Sequence, residues 1–425
     1  MTAAAPDAAS ATAGRKLAGG VGAWSDCGTD EVLVWGACQG SGKNPYRVLV
    51  DTAGPRYKCS CPSRKFPCKH ALGLLFLWAE HRLPDGTPAP EDARQWGSRP
   101  GAAEPAAEPT AEQQAAAAKR AAEREAKVDA GLAELDRWLT DQVTAGLARA
   151  WSDPYPHFEQ AAARMIDAQA PGIASRLARL VAVATSGPGW PERMLEEFAL
   201  LRLLIRGWQR RAALPEDLRQ TVRTHVGFPT PVAQVLHRPA VRRNWLVTGL
   251  VDVDDPRLSS RRVWLRSLDE QPRWAVVLSY AAPGQTLDSS LVPGLVLDAE
   301  LHYYPGAGVM RAAVGERHAE HEYQPGTTLS AADLAEPAGR RRDLLAQDPW
   351  ADTVPAVLRG RVLREGEKWA LCDESGRQAT LTGAELDRWR LTGLLAGRPG
   401  IMAGEWSGTG FRPTSVFTAD GLVLL

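Results

Sequence analysis

Three cysteines and a histidine stand close together: Cys59, Cys61, Cys68 and His70, in the pattern C-x-C-x6-C-x-H. Three thiolates and one imidazole make a complete tetrahedral ligand set for zinc. The tight spacing has a geometric reading. On a strand, side chains two apart point the same way, so Cys59 and Cys61 face together. Two residues in a regular helix are about 200° apart. Cys68 and His70 therefore converge only if Cys68 lies just before a helix and His70 in its first turn. The following stretch, Ala71-Leu72-Gly73-Leu74-Leu75-Phe76-Leu77-Trp78-Ala79, is helix-like. The motif reads as strand, knuckle loop and helix, with one structural Zn2+ clamping the junction. A disulfide framework fits less well, because no secretion signal is visible and Cys59 and Cys61 are too close for an easy mutual bridge. A catalytic Cys68–His70 dyad would leave Cys59 and Cys61 unexplained, and ordinary buried thiols would not gather around a histidine. Four protein ligands leave no open position for water, so a non-catalytic metal and a non-enzymatic chain are expected.

The elements that hold these ligands are short. Residues 31–37, 46–51 and 56–59 read as strands, the last two joined by the turn Thr52-Ala53-Gly54-Pro55. The helix from His70 to about Arg82 is apolar nearly all round, which predicts burial on most sides by an internal core or by a partner. Gly40-Ser41-Gly42-Lys43 superficially suggests a phosphate-binding loop. It lacks the earlier glycine (Ala37 is there), the Ser or Thr after the lysine (Asn44 is there) and a following helix (Pro45 is there).

This motif resembles the SWIM zinc finger, C-x-C, a variable gap, then C-x-H, and the wider chain is similar to bacterial SWIM-finger proteins. The likeness is carried by Trp35-Gly36-Ala37-Cys38-Gln39-Gly40-Ser41-Gly42 and by Pro62 to His70, and more weakly by Arg242 to Val247 and Leu291 to Gly294. The resemblance implies zinc binding and contacts with DNA or other proteins, and implies no catalytic residues.

Around the knuckle, Lys43, Arg47, Arg56, Lys58, Arg64, Lys65, Lys69 and Arg82 stand against only Asp51 and Glu80. Exposed cations beside an aromatic ring such as Phe66 suit phosphates and bases. Arg64, Lys65, Lys69, Arg56 and Lys58 are thus the candidate DNA or RNA contacts. The bland reading is that these cations merely offset the thiolates and keep a small domain soluble.

The whole chain of 425 residues has 50 basic and 50 acidic residues, so bulk charge does not drive it onto nucleic acid. Its fold class is read as multidomain α+β: a small ββα-like zinc finger, a central α-helical bundle and C-terminal antiparallel β modules. The expected divisions are a disordered leader at 1–20, the finger domain at 21–83, a Pro/Ala-rich linker at 84–110 and a helical domain at 111–240. A β-rich domain at 241–325, a connector at 326–350 and a second β-rich domain at 351–425 complete the chain. Val128, Leu132, Leu135, Leu139, Val143 and Leu147 predict one buried face on a long helix. From residue 241 the period changes to two, and small barrels or sandwiches fit the spacing. No internal repeat is visible. His318-Ala319-Glu320-His321 lacks a third ligand nearby and reads as a solvated loop, as does the acidic Asp252/Asp254/Asp255 turn. Cys27, Cys38 and Cys372 read as reduced thiols of a cytoplasmic protein. No membrane span and no small-molecule substrate are expected. The functional reading is a finger binding nucleic acid or protein. The alternatives are a protein-interaction adaptor and, more weakly, an enzyme with its site in the β region.

Overall fold

The computed structural model describes residues 8–30, 33–39, 45–52, 56–61, 67–84, 89–90, 93, 111–147, 152–253, 258–282, 285–325 and 329–425. They fall into two compact units. One comprises residues 1–108 with segments 253–260 and 279–288, the other the remainder.

In the first unit, β1 (Trp24–Thr29), β2 (Leu33–Cys38), β3 (Tyr46–Asp51) and β4 (Arg56–Cys59) form an antiparallel meander in sequence order. Alternation along β2 and β3 supplies both faces of the sheet. Val34, Val48 and Val50 pack against Ala71, Leu74 and Leu75 of α2 (Lys69–Ala79), while Leu33, Trp35 and Leu49 enclose Ala89 and Ala93. Two expectations are corrected here. Residues 8–19 of the expected disordered leader form helix α1 (Ala8–Gly19). It docks on α2 through Leu17 and Ala18, and Trp24 and Arg82 donate to the Leu17 and Ala18 carbonyls. The approach is close, since a Cβ on Gly73 would lie 3.3 Å from the Gly14 carbonyl oxygen. The reason is burial: the all-apolar α2 needs a cover on the side away from the sheet, and α1 supplies it. Likewise, Ala89 and Ala93 of the expected linker are buried on the far face of the sheet, and the Pro84 carbonyl accepts from Thr29.

The second unit begins with a helical bundle: α3 (Ala111–Ala145), α4 (Pro154–Asp167), α5 (Pro171–Ala184), α6 (Trp190–Gln209), α7 (Glu216–Val226) and the short α8 (Val232–Leu236). One continuous core runs from Val128, Leu132, Leu135 and Leu139 through Phe158, Leu177 and Trp208. The start of α3 is solvent-exposed, as its Ala-and-charge composition predicts. Val143 departs from the expected buried face and is 53% exposed, because the apolar stripe of α3 outruns its partners.

Two β modules follow, and they share one topology. In the first, β5 (Ala240–Val253), β6 (Ser259–Ser267), β7 (Trp274–Ala281), β8 (Leu295–Tyr303) and β9 (Ala312–Glu322) pair in the order β7-β6-β5-β8-β9. A parallel bridge, Val276 to Arg311, brings the start of β9 back to β7. In the second, β10 (Val354–Glu365), β11 (Lys368–Cys372), β12 (Gln378–Thr380), β13 (Gly400–Trp406) and β14 (Phe411–Thr418) pair as β12-β11-β10-β13-β14, and β15 (Gly421–Leu424) extends the edge. A parallel bridge, Leu381 to Phe411, again closes third strand on fifth. Helix α9 (Ala335–Leu345) precedes this module, and α10 (Glu385–Leu395) sits between its third and fourth strands. In both, a long first strand is shared between the two halves. β10 pairs with β13 over 354–360 and with β11 over 361–365. Gly360 stands at that switch, where a Cβ would meet the Cys372 carbonyl oxygen at 2.7 Å. Strand order 1-2-3-5-4-1 in a Greek-key barrel is the topology of the OB fold. The chain thus repeats a fold that its sequence does not visibly repeat. The inward side chains need only be apolar and of suitable volume, so two barrels of one topology need share no residues.

His318 and His321 lie in β9 and not in a loop. β9 is mostly exposed at the sheet margin, so it lacks the apolar alternation that would have announced it.

Candidate metal centre

β4 ends at Cys59, and the chain keeps its sheet partner one residue further: Ser60 N–H donates to the Arg47 carbonyl, and Arg47 N–H donates to Ser60 Oγ. This anchors Cys59 and Cys61 on either side of a fixed residue. Cys68 is the N-cap of α2 in extended conformation, and His70 is its second helical residue, as the sequence geometry requires. One ligand atom from each of Cys59, Cys61, Cys68 and His70 lies within 4.8 Å of all the others. His70 presents Nδ1 to the sulfurs, 3.9 Å from both Cys59 Sγ and Cys68 Sγ. Ordinary zinc–sulfur and zinc–nitrogen bonds in a tetrahedron place such atoms about 3.6 Å apart. The four residues therefore fit one structural Zn2+.

Electrostatics agrees. The Cys68 thiol is pulled down to about 3 by the hydrogen bond from Cys59, with smaller help from His70 and the Ala71 amide and against the effect of burial. Cys59 is pushed up by the same contact. A thiolate is already favoured at the helix N-terminus, and the bound cation would draw the protons from Cys59 and Cys61. Cys68 and His70 are buried, while Cys59 and Cys61 are half-buried.

Two neighbours escaped the sequence reading. The Tyr46 ring packs on His70, centroids 4.9 Å apart and tilted by 38°. Cys38, paired with Tyr46 across β2 and β3, is a fourth sulfur near the cluster, but burial pushes its pKa up and keeps it a thiol. Neither belongs to the C-x-C-x6-C-x-H ligand pattern, and strand pairing brings them there. Cys27, Cys38 and Cys372 form no disulfide.

Residues 46–78 match the family model of the SWIM zinc finger. This chain carries a SWIM zinc finger. Residues 123–226 match a second family model, the SWIM-associated four-helix bundle domain, which spans α3 from residue 123 to the end of α7. No curated protein and no solved structure matches the chain significantly.

Two of the five candidate nucleic-acid contacts have described side chains. Lys58 and Lys69 are exposed. Arg64, Lys65 and Phe66 lie outside the described residues, as does the Gly40–Lys43 loop, and Arg56 is described for its backbone alone. A second cluster takes only His318 from the 318–321 segment: Glu300 on β8, Glu316 and His318 bring one ligand atom each within 4.8 Å, without Glu320 or His321. Glu316 and His318 are solvent-exposed, Glu300 partly so, and Arg242, which pairs with Asp298 at 2.7 Å, lies close enough to feel the Glu300 and Glu316 charges. Asp252 pairs with Arg261 at 2.7 Å. No helix among the described residues is long and apolar enough to cross a membrane.

Proposed function

We propose that the SWIM finger is a nucleic-acid-binding module of a non-enzymatic cytoplasmic protein, with the zinc holding the knuckle and not performing chemistry. The observation that supports this is the placement of the ligands. Cys61 and Cys68 flank residues 62–66, so the metal ties down both ends of the segment carrying Arg64 and Lys65, with exposed Lys58 and Lys69 beside it. Residues 94–110 would link this module to the bundle and barrels.

The test is the salt dependence of duplex DNA binding by the full chain. Each phosphate contact contributes about 0.9 to the slope of log affinity against log salt. Replacing Arg64 and Lys65 together by Ala should lower that slope by about two units with zinc content unchanged. Absence of binding by the wild type at low salt would end this reading. A protein-interaction adaptor is the second reading, and exposed Leu386 (76%) and Trp389 (46%) on α10 favour it. The SWIM helix does not, because His70 to Leu77 are all buried.

A further inference from the structure

The two barrels differ in what covers their second and third strands. In the OB fold that face takes oligonucleotides or oligosaccharides. In the first barrel it is occupied. Trp264 of β6 is buried and donates to Glu405 Oε1 of β13 at 2.7 Å, and Arg262 meets the same oxygen at 3.0 Å. Arg266 of β6 donates to Ser330 and lies over Trp274 of β7, where Arg340 of α9 also sits. The connector and the second barrel thus cover the first barrel's ligand face.

The second barrel's corresponding face is open. Cross-strand pairing puts Arg361, Leu363 and Glu365 of β10 beside Cys372, Ala370 and Lys368 of β11, and Ala370 beside Thr380 of β12. Residues of the opposite parity, among them Trp369 and Leu371, fill the barrel. Of the outward set only Cys372 is buried, and Arg361, Lys368 and Thr380 are exposed. Among the described residues Arg361 and Lys368 form no ion pair, nor does Arg412, whose side chain runs along Gly383 just beyond β12. Three cations thus lie along the face floored by Leu363 and Ala370, against Glu365, which stands opposite Lys368, and Glu367 in the β10–β11 turn.

We propose that this face of β11 and β12 binds a single-stranded polynucleotide, a second nucleic-acid surface independent of the SWIM finger. Arg361, Lys368 and Arg412 neutralise the phosphates, and the small apolar floor accepts bases without reading their sequence. A duplex keeps its base faces stacked inside and has none to lay on this floor. DNA and RNA share the required chemistry.

The test uses the full zinc-loaded chain carrying Arg64→Ala and Lys65→Ala, so that the finger's contribution is removed. Fluorescence anisotropy measures binding of thymidine and uridine homopolymers of about 20 nucleotides, which distinguish DNA from RNA, and of a matched duplex. Adding Arg361→Ala and Lys368→Ala should weaken single-strand binding about 25-fold near 0.1 M salt and lower the salt slope by about 1.4, with zinc content and thermal midpoint unchanged. Glu365→Gln should tighten it about fivefold, which keeps the test decisive if the double replacement disturbs the barrel. The proposal is overturned if the finger-neutralised chain binds neither homopolymer at low salt, if it prefers duplex, or if the face variants leave single-strand affinity unchanged. The finger reading fails separately, through unchanged duplex binding when Arg64 and Lys65 are replaced.

Discussion

The SWIM finger sheet and the second barrel are both antiparallel structures with helical cover, but different forces hold them. The finger's sheet is open. Its two faces are covered by α2 on one side and by Ala89 and Ala93 on the other, and its β4–α2 junction is a cluster of three cysteines and a histidine. The barrel closes on itself through the Leu381–Phe411 bridge and fills its interior with Trp369, Leu371, Met402 and Val416. A closed barrel derives its stability from burial spread over many residues. An open sheet with a metal-set corner concentrates stability in four ligands, so it should fail abruptly when one is lost.

The largest test of that difference is removal of the metal. Chelation, or Cys68→Ser, should cost on the order of 10 kcal/mol locally and unfold the sheet with α2. Amide hydrogen exchange should show protection lost over residues 24–79 and kept from residue 128 onward. Protection lost throughout the chain would mean that the metal stabilises more than its own unit. The bundle supplies the opposite case. Trp208 is fully buried, and its indole N–H donates to Asp129 at 2.6 Å. Trp208→Ala should cost about 3–5 kcal/mol, lowering the thermal midpoint of the bundle while leaving bound zinc unchanged. Loss of zinc in that variant would break the separation.

The smallest effect concerns acid. Arg223 donates to Glu125 at 2.6 Å, and this hydrogen bond, followed by the charges of Arg223 and Arg211, holds the Glu125 carboxyl below its usual range against partial desolvation. A carboxyl depressed in the folded state adds stability that is fully present above its unfolded value of about 4.3 and lost as pH falls through the lower folded value. Glu125 is partly exposed, so solvent screening keeps the contribution to about 1 kcal/mol or less. Glu125→Gln should flatten the fall of the bundle's thermal midpoint between about pH 5 and pH 3. An unaltered acid limb would show that this pair does not shape it.

How legible each region was follows the range of its determinants. The metal centre was legible because its ligands are near neighbours in the chain and zinc accepts few donor types. Cys59, Cys61, Cys68 and His70 meet where strand and helix periodicity put them. The bundle's buried face was legible from Val128 to Leu139 and misread at Val143, where the periodicity continues but the partner does not. β9 was read as a loop because its charged residues face solvent, and α1 was read as a leader because an Ala-rich segment becomes a stable helix only when α2 covers it.

The sequence by itself determined the zinc chemistry, the strand–knuckle–helix order and the change from helical to β periodicity near residue 241. All of these depend on spacing along the chain. Tertiary structure alone decided that Tyr46 packs on His70, that two unlike sequences close into the same barrel, and that only the second barrel leaves its β11–β12 face open. Those outcomes depend on side chains far apart in sequence, and barrel closure constrains volume and polarity more than residue identity.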